Sequence, residues 1–312
     1  MLGASWRKGL TLKTCGAPRA SSPLATAGLV NVPILRKATA ATTCLAATSV
    51  GYYPDRTKVG WWKNGYPEYF AKVLNATNWT RTDIVVNGQA LDLNVAKSIE
   101  GFKRILDMRR GLLQRTCTVE LQDGAKIKLE TERFISMASP NRAAVEIRVT
   151  PVHGVNTLEF QPTLDGDVSN EDTNWDDSFW RHEGHESDPG AGTSVLWNTT
   201  EKTAFTVACA QAVGLEGATW TDKEAAKATG LCASFASPQA QLVLRKHVGL
   251  VSSLHAPPSE CPAKAQNEAR DGRELGYLEE RARHEAAWSD IWSLGDIRIC
   301  LLYTSPSPRD PE

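Results

Sequence analysis

The carboxylates between Thr163 and Trp180 are the densest set of groups in the chain able to do chemistry. Asp165, Asp167, Glu171, Asp172, Asp176 and Asp177 fall within thirteen residues. Oxygen-rich loops of this kind can ligate calcium, but the spacing is not that of an EF-hand, and the closing Glu at the twelfth position is missing. Two of these carboxylates facing each other across a sugar would form a glycosidase pair, with a separation only the fold can set. The competing reading is a solvated loop whose Asp and Asn side chains hold turns. Next along the chain, His182-Glu-Gly-His185 has the look of a metal site, because on a helix both imidazoles would share one side. Gly184, Pro189, Gly190 and Gly192 favour a loop instead, with the two histidines a chance pair on a polar insertion that binds no metal.

A different chemistry is offered by Gly51 to Phe70. Seven of these twenty residues are aromatic, against 7% for the whole chain. Two prolines and three glycines argue against a regular helix. Rings with polar tips suit amphipathic ligands, so Trp61, Trp62, Asn64 and Tyr66 are candidates for a wall beside a sugar, as are Trp175 and Asp176 in the acidic loop. The alternative is a set of rings packed onto a β core.

Composition bounds what these residues could serve. A net charge of -1 gives no electrostatic case for nucleic acid. No run of about eighteen apolar residues exists to span a membrane. The seven cysteines include no CxxC pair, suit neither zinc nor a small disulfide scaffold, and read as reduced thiols in the cytoplasm. The sequons at Asn75, Asn78 and Asn198 are then chance matches.

The elements that must position the candidates are mostly strands. Ile84-Val-Val86 and Gln89 to Leu93 flank Asn87-Gly88, a strong two-residue hairpin signal. Cys117 to Leu121 and Ala125 to Glu130 flank Asp123-Gly124, and the alternation of Ile127 and Leu129 with Lys126, Lys128 and Glu130 indicates one wet face. Ala144 to Thr150, Thr157 to Gln161, Thr193 to Trp197, Ala204 to Ala210 and Leu242 to Ser252 continue the pattern of a large antiparallel sandwich. Pro257 to Gly272 reads as a linker. Tyr277 to Trp292 then reads as an amphipathic helix, with Tyr277, Leu278, Ala282, Trp288 and Trp292 in one arc and Glu279, Glu280 and Arg283 outside it.

Gly51 to Asn75 closely resembles the N-terminal domain of the glycoside hydrolase family 65 sugar phosphorylases, its maltose-phosphorylase branch in particular. Phe102 to Met108, Thr163 to Trp180 and His284 to Trp292 are similar to the same family. The resemblance covers about Gly51 to Ile299 and is weak between about Gly214 and Ser237. It implies a mostly β fold: a large antiparallel β-sandwich of the galactose-mutarotase-like super-sandwich type over 51–256, then a helical linker over 257–299. The catalytic (α/α)6 barrel that follows in the family is expected to be absent from this chain. The implied reaction is inverting phosphorolysis, in which phosphate attacks the anomeric carbon of an α-linked glucose disaccharide such as maltose while a glutamic acid protonates the leaving oxygen. The implied acid and phosphate-binding groups lie in the barrel, so no catalytic residue is carried over and this chain alone is expected to be inactive. Inorganic phosphate is a co-substrate, no cofactor is implied, and the expected partners are the barrel and a second copy in a homodimer. Two alternatives stand beside this reading: a free-standing carbohydrate-binding β domain, and a fragment of a family 65 hydrolase such as a trehalase.

The ends of the chain read differently. No Asp or Glu precedes Asp55, and the segment is rich in Ala, Thr, Ser, Arg and Lys, which by itself is transit-peptide composition. In the family a segment like SIGNGxxGQRANFEExYSG precedes the aromatic stretch. Shifting the reading frame by one base from Ser22 onward permits that motif with no incompatible position. Residues 1–50 are therefore expected to be a frameshifted translation. Residues 300–312, beginning Cys300-Leu-Leu-Tyr-Thr-Ser, resemble a translated sequencing adapter.

Overall fold

The computed structural model describes residues 74–170 and 178–296, with the backbone of four short strands before them. Those four are β1 (Leu29–Val30), β2 (Ala47–Thr48), β3 (Tyr53–Arg56) and β4 (Tyr69–Lys72), paired as β1–β2 and β3–β4. Apart from β1 and β2, the segments 1–50 and 300–312 lie outside the described residues.

The first fully described hairpin joins β5 (Thr82–Val86) to β6 (Gln89–Ala90). Its turn places Asn87 at φ 51° and Gly88 at φ 78°, the left-handed geometry that matches strand twist and that Asn-Gly tolerates best. Asn87 also ties neighbouring turns together. Its Oδ1 accepts from the amides of Asn156 (2.8 Å) and Thr157 (3.1 Å), and its Nδ2 donates to Gly154 O (2.8 Å) and Asp123 Oδ2 (2.8 Å).

A meander follows: β7 (Ser98–Asp107), β8 (Leu112–Glu120), β9 (Lys126–Ile135) and β10 (Arg142–His153). Then come β11 (Thr157–Asp165), β12 (Trp180–Asp188), β13 (Thr193–Thr200), β14 (Thr206–Gly214), β15 (Thr221–Ala225), β16 (Ala228–Ala236) and β17 (Leu242–Ser252). They form an eight-stranded sheet in the order β12-β13-β14-β17-β10-β9-β8-β7 and a five-stranded sheet in the order β15-β16-β11-β5-β6, with antiparallel pairing throughout. The weakly matched stretch from 214 to 237 is thus a hairpin at the edge of the smaller sheet.

The main core lies between the two sheets. Ile127, Leu129, Val145, Val149, Leu158 and Phe160 meet there with essentially no exposure. On β9 these inward residues alternate with Lys126, Lys128, Glu130 and Glu132, as a half-wet sheet requires. On β14 the alternation is lost and eight consecutive residues are buried. The reason is a third layer.

That layer is helical. The linker expected over Pro257 to Gly272 is instead α1 (Cys261–Leu275), followed after Gly276 by α2 (Tyr277–Leu294). The Pro, Ala and charged residues suggested a spacer, but the small residues have a packing role. Cys261, Ala265 and Ala269 of α1 lie on Ala208, Ala210 and Ala212 of β14 and on Val251 of β17. Alanines on both surfaces allow close approach, and Gly249 of β17 sets its limit. A Cβ built there would collide with Ala265 O and lie 2.9 Å from Ala269 N. Gly249→Ala is therefore expected to lower the free energy of unfolding by roughly 3 kcal/mol in urea denaturation, because the helix backbone cannot yield. Gly214→Ala, whose Cβ meets nothing within 4 Å, is the matched control and should change stability by no more than about 0.5 kcal/mol. Equal losses in the two variants would refute the close-approach account.

Candidate functional site

The proposed contact residues Trp61, Trp62, Asn64, Tyr66, Trp175 and Asp176 all lie outside the described residues. The described flanks of their two segments nevertheless converge. The Asn75 amide donates to Asn170 Oδ1 (3.0 Å), and Asn75 Nδ2 donates to Ser169 O (2.9 Å). From the far side of the acidic loop, Trp180 Nε1 donates to Asn75 O (2.7 Å). Leu74, Ala76, Phe179, Trp180 and Val207 form a buried cluster around this junction. Asn75, downstream of the aromatic stretch, therefore meets the acidic loop both at Ser169 and Asn170 and again at Trp180.

The described half of the acidic loop is committed to structure. Asn78 and Asp165 exchange backbone hydrogen bonds of 2.7 and 3.2 Å. The Asp165 carboxylate takes Arg81 Nη1 at 2.7 Å, and Arg81 also holds Asp83 at 3.0 Å. Hydrogen bonding to Asp83 and Asp165 raises the Arg81 pKa above its ordinary value. Asp167 faces Lys227 at 3.2 Å. These acids act as the turn-holding reading requires. The larger surface groove, about 380 Å³, is lined in part by Glu130, Glu132 and Glu146 on the outer face of the eight-stranded sheet. Each is engaged by a cation: Lys128, Arg281, and the pair Arg148 and Arg245 respectively.

His182 and His185 are not on a loop. They sit on β12, where the register slips between His182 and Gly184 against β13. Three residues apart on a regular strand they would face opposite sides; the extra bulge residue returns them to one side. His182 Nδ1 lies 2.9 Å from Asn198 Oδ1, and His182 Nε2 lies 3.1 Å from His185 Nδ1. An amide oxygen only accepts, so His182 donates from Nδ1 to Asn198, and its Nε2 faces His185 Nδ1. The facing nitrogens are used on each other. Among the described residues, no group of three or more His, Cys, Asp or Glu is placed to hold a metal ion.

Sequence patterning misses the groups buried around β17. Lys246 points between the sheets with no exposure, donating to Arg81 O (3.1 Å) and Thr163 O (3.0 Å). Burial lowers its pKa from 10.5 to about 7. The neutral amine has two N–H groups for those two carbonyls. Its neighbour His247 points to the other face, where Nδ1 meets Glu280 Oε2 of α2 at 2.8 Å with both side chains 3% exposed. Glu280 was expected outside the apolar arc of α2 and is buried, whereas Leu278, expected inside it, is 66% exposed. The helix turns a polar pair, not only its rings, toward the sheet.

The rest of α2 clasps the β7–β8 turn. His284 Nε2 donates to Arg110 O (2.9 Å) and its Nδ1 accepts from the Met137 amide (3.1 Å), with the ring stacked on Phe134 at 4.8 Å. Burial holds its pKa below the usual histidine range. Trp288 and Trp292 both donate to Met108 O, at 2.6 and 3.3 Å. The two tryptophans thus cover a turn of this domain.

The described residues thus form a two-sheet β-sandwich whose larger sheet is covered on its outer face by consecutive helices. The same fold occurs in a candidate kojibiose phosphorylase from the human microbiome, with a TM-score of 0.66 and 19% identity over 80% of this chain and 32% of that one. Residues 38–291 match the model of the glycosyl hydrolase family 65 N-terminal domain. The chain belongs to that family, as its N-terminal domain. It is 34% identical over 252 residues to maltose phosphorylase of Bacillus subtilis, covering 80% of this chain and 33% of that protein. It is 36% identical over 99 residues to kojibiose phosphorylase of Thermoanaerobacter brockii, covering 32% of this chain and 13% of that protein. The α,α-trehalose phosphorylase of the same organism is 30% identical over 112 residues, covering 34% of this chain and 14% of that protein. The chain spans at most about a third of the length of these curated relatives. Among the described residues no helix is long and apolar enough to cross a membrane.

Lys246 makes a pH prediction. Its folded pKa lies below its unfolded value, so between about pH 7 and 10.5 the unfolded chain binds more protons and stability rises with pH. Urea denaturation across this range should show a rise, on the order of a few kcal/mol, that Lys246→Met lacks. Parallel pH profiles for the two proteins would show that Lys246 is not the source.

Proposed function

We propose that the chain is the non-catalytic β domain of an inverting phosphorylase acting on an α-linked glucose disaccharide, maltose in particular. One observation supports this reading over its relatives. The likeness to maltose phosphorylase runs through 252 residues, against 99 for kojibiose phosphorylase and 112 for trehalose phosphorylase. In the proposed parent enzyme, phosphate and the disaccharide are handled by a barrel domain, and the sandwich with its helical arm positions that barrel. Trp61, Trp62, Asn64, Tyr66, Trp175 and Asp176 are then contacts to the barrel or its substrate. No cofactor enters this scheme; phosphate is the co-substrate. The described cysteines, Cys117, Cys209, Cys232 and Cys261, are unpaired, which fits a cytoplasmic setting.

The chain alone should release no glucose 1-phosphate from maltose and phosphate. Fused in place of the matching region of Bacillus subtilis maltose phosphorylase, it should restore maltose phosphorolysis. The equivalent fusion to Thermoanaerobacter brockii kojibiose phosphorylase should restore less activity on kojibiose. Turnover by the isolated chain, or better rescue of the kojibiose enzyme, would overturn the reading. Saturable maltose binding to the isolated chain in calorimetry would favour a carbohydrate-binding module.

A further inference from the structure

Two buried histidines help to seat α2, and they are held in opposite ways. His247 of β17 has Nδ1 2.8 Å from a carboxylate oxygen of Glu280, so a proton added to that ring meets an anionic partner. His284, one turn beyond Glu280 on α2, meets backbone groups on both nitrogens. Its Nδ1 accepts from the Met137 amide, just after β9, at 3.1 Å, and its Nε2 donates to Arg110 O in the β7–β8 turn at 2.9 Å. One ring nitrogen is committed as acceptor and the other as donor, which fixes the ring as a neutral tautomer.

A proton on Nδ1 of His284 sets one N–H against another. The Met137 amide then loses its acceptor, and the ring loses the bond that ties it to that amide. The ring has little room to turn aside. It is 2% exposed and stacks on Phe134 at 4.8 Å, and a Cβ on Gly111 would come within 2.8 Å of its Nε2. The acids nearby are already engaged. Glu285, the next residue on α2, is held by Arg110 at 2.8 Å and Arg281 at 2.7 Å. Glu132 of β9 is held by Arg281 at 2.9 Å and by the Tyr277 hydroxyl at 3.0 Å, and Glu280 faces His247. Burial accordingly holds the His284 pKa below its ordinary 6.5.

We propose that His284 is a pH-sensitive latch: protonation of its ring releases the C-terminal half of α2, with Trp288 and Trp292, from the β7–β8 turn. The N-terminal half stays anchored through Tyr277, Glu280 and Arg281, so the helix opens from one end. The latch lies within this domain and does not depend on the substrate assigned to the parent enzyme.

Hydrogen–deuterium exchange of the full 312-residue chain, corrected for the intrinsic pH dependence of amide exchange, tests it. The released ring binds more protons than the docked one, so opening grows as pH falls through 6.5. From about pH 7.5 to about pH 5.5 the corrected exchange of the Met137 amide and of residues 284–294 should rise by up to about tenfold, while that of β14 beneath α1 stays flat. His284→Gln keeps one acceptor and one donor without a titrating ring, and should remove the rise. His247→Gln, which can still donate to Glu280, should keep it. If His284→Gln does not fold, NMR of nitrogen-labelled histidine rings in the native chain decides: one ring should gain its proton over the same pH range in which the helix loses protection. Exchange at residues 284–294 that does not change with pH would overturn the proposal. So would an undiminished rise in His284→Gln, an equal rise in β14, or no histidine ring titrating together with the helix.

Discussion

Strand β17 carries polar side chains into both faces of the larger sheet, and each must be satisfied by a different layer. Lys246 reaches inward to carbonyls of the chain at Arg81 and Thr163, which belong to the second sheet and its approach. His247 reaches outward to Glu280 of α2. Two residues further on, bare backbone at Gly249 admits α1. Buried polar groups are expensive when left unmade, so this strand fixes how the two sheets and the helices sit relative to one another. Apolar packing alone would tolerate sliding; these pairings do not.

That constraint explains the division of labour among the charged residues. Among the described residues, Asp165, Glu130, Glu132, Glu146 and Glu285 are each held by an arginine or lysine. Such pairs tie neighbouring strands and helices to one another. This suits a family 65 N-terminal domain whose relatives are about three times its length.

The strands were legible because their signals are local. Asn87-Gly88 and the alternation on β9 each report a turn or a wet face from a handful of residues. The helix α1 was not, because its alanines look like a spacer until β14 supplies a matching row of alanines far away in sequence. The histidine pair was misjudged for a related reason. Glycines near it suggested a loop, but the bulge that aligns the rings is a property of pairing with β13. Glu280 and Lys246 were invisible as buried groups, since composition codes them as surface residues and only their distant partners say otherwise. Of the site, the sequence motifs indicated two segments, and the hydrogen bonds around Asn75 show that their flanks meet.

The clasp of α2 on the β7–β8 turn has a consequence in time. Trp288 and Met108 are 180 residues apart, and Trp292 and Met108 are 184 apart. At synthesis rates of about 5–20 residues per second, the turn emerges from the ribosome roughly ten to forty seconds before the helix that covers it. Throughout that interval the β7–β8 turn at Met108 lacks the cover that Trp288 and Trp292 give it. Completion of this corner of the fold therefore waits for the synthesis of the last helix.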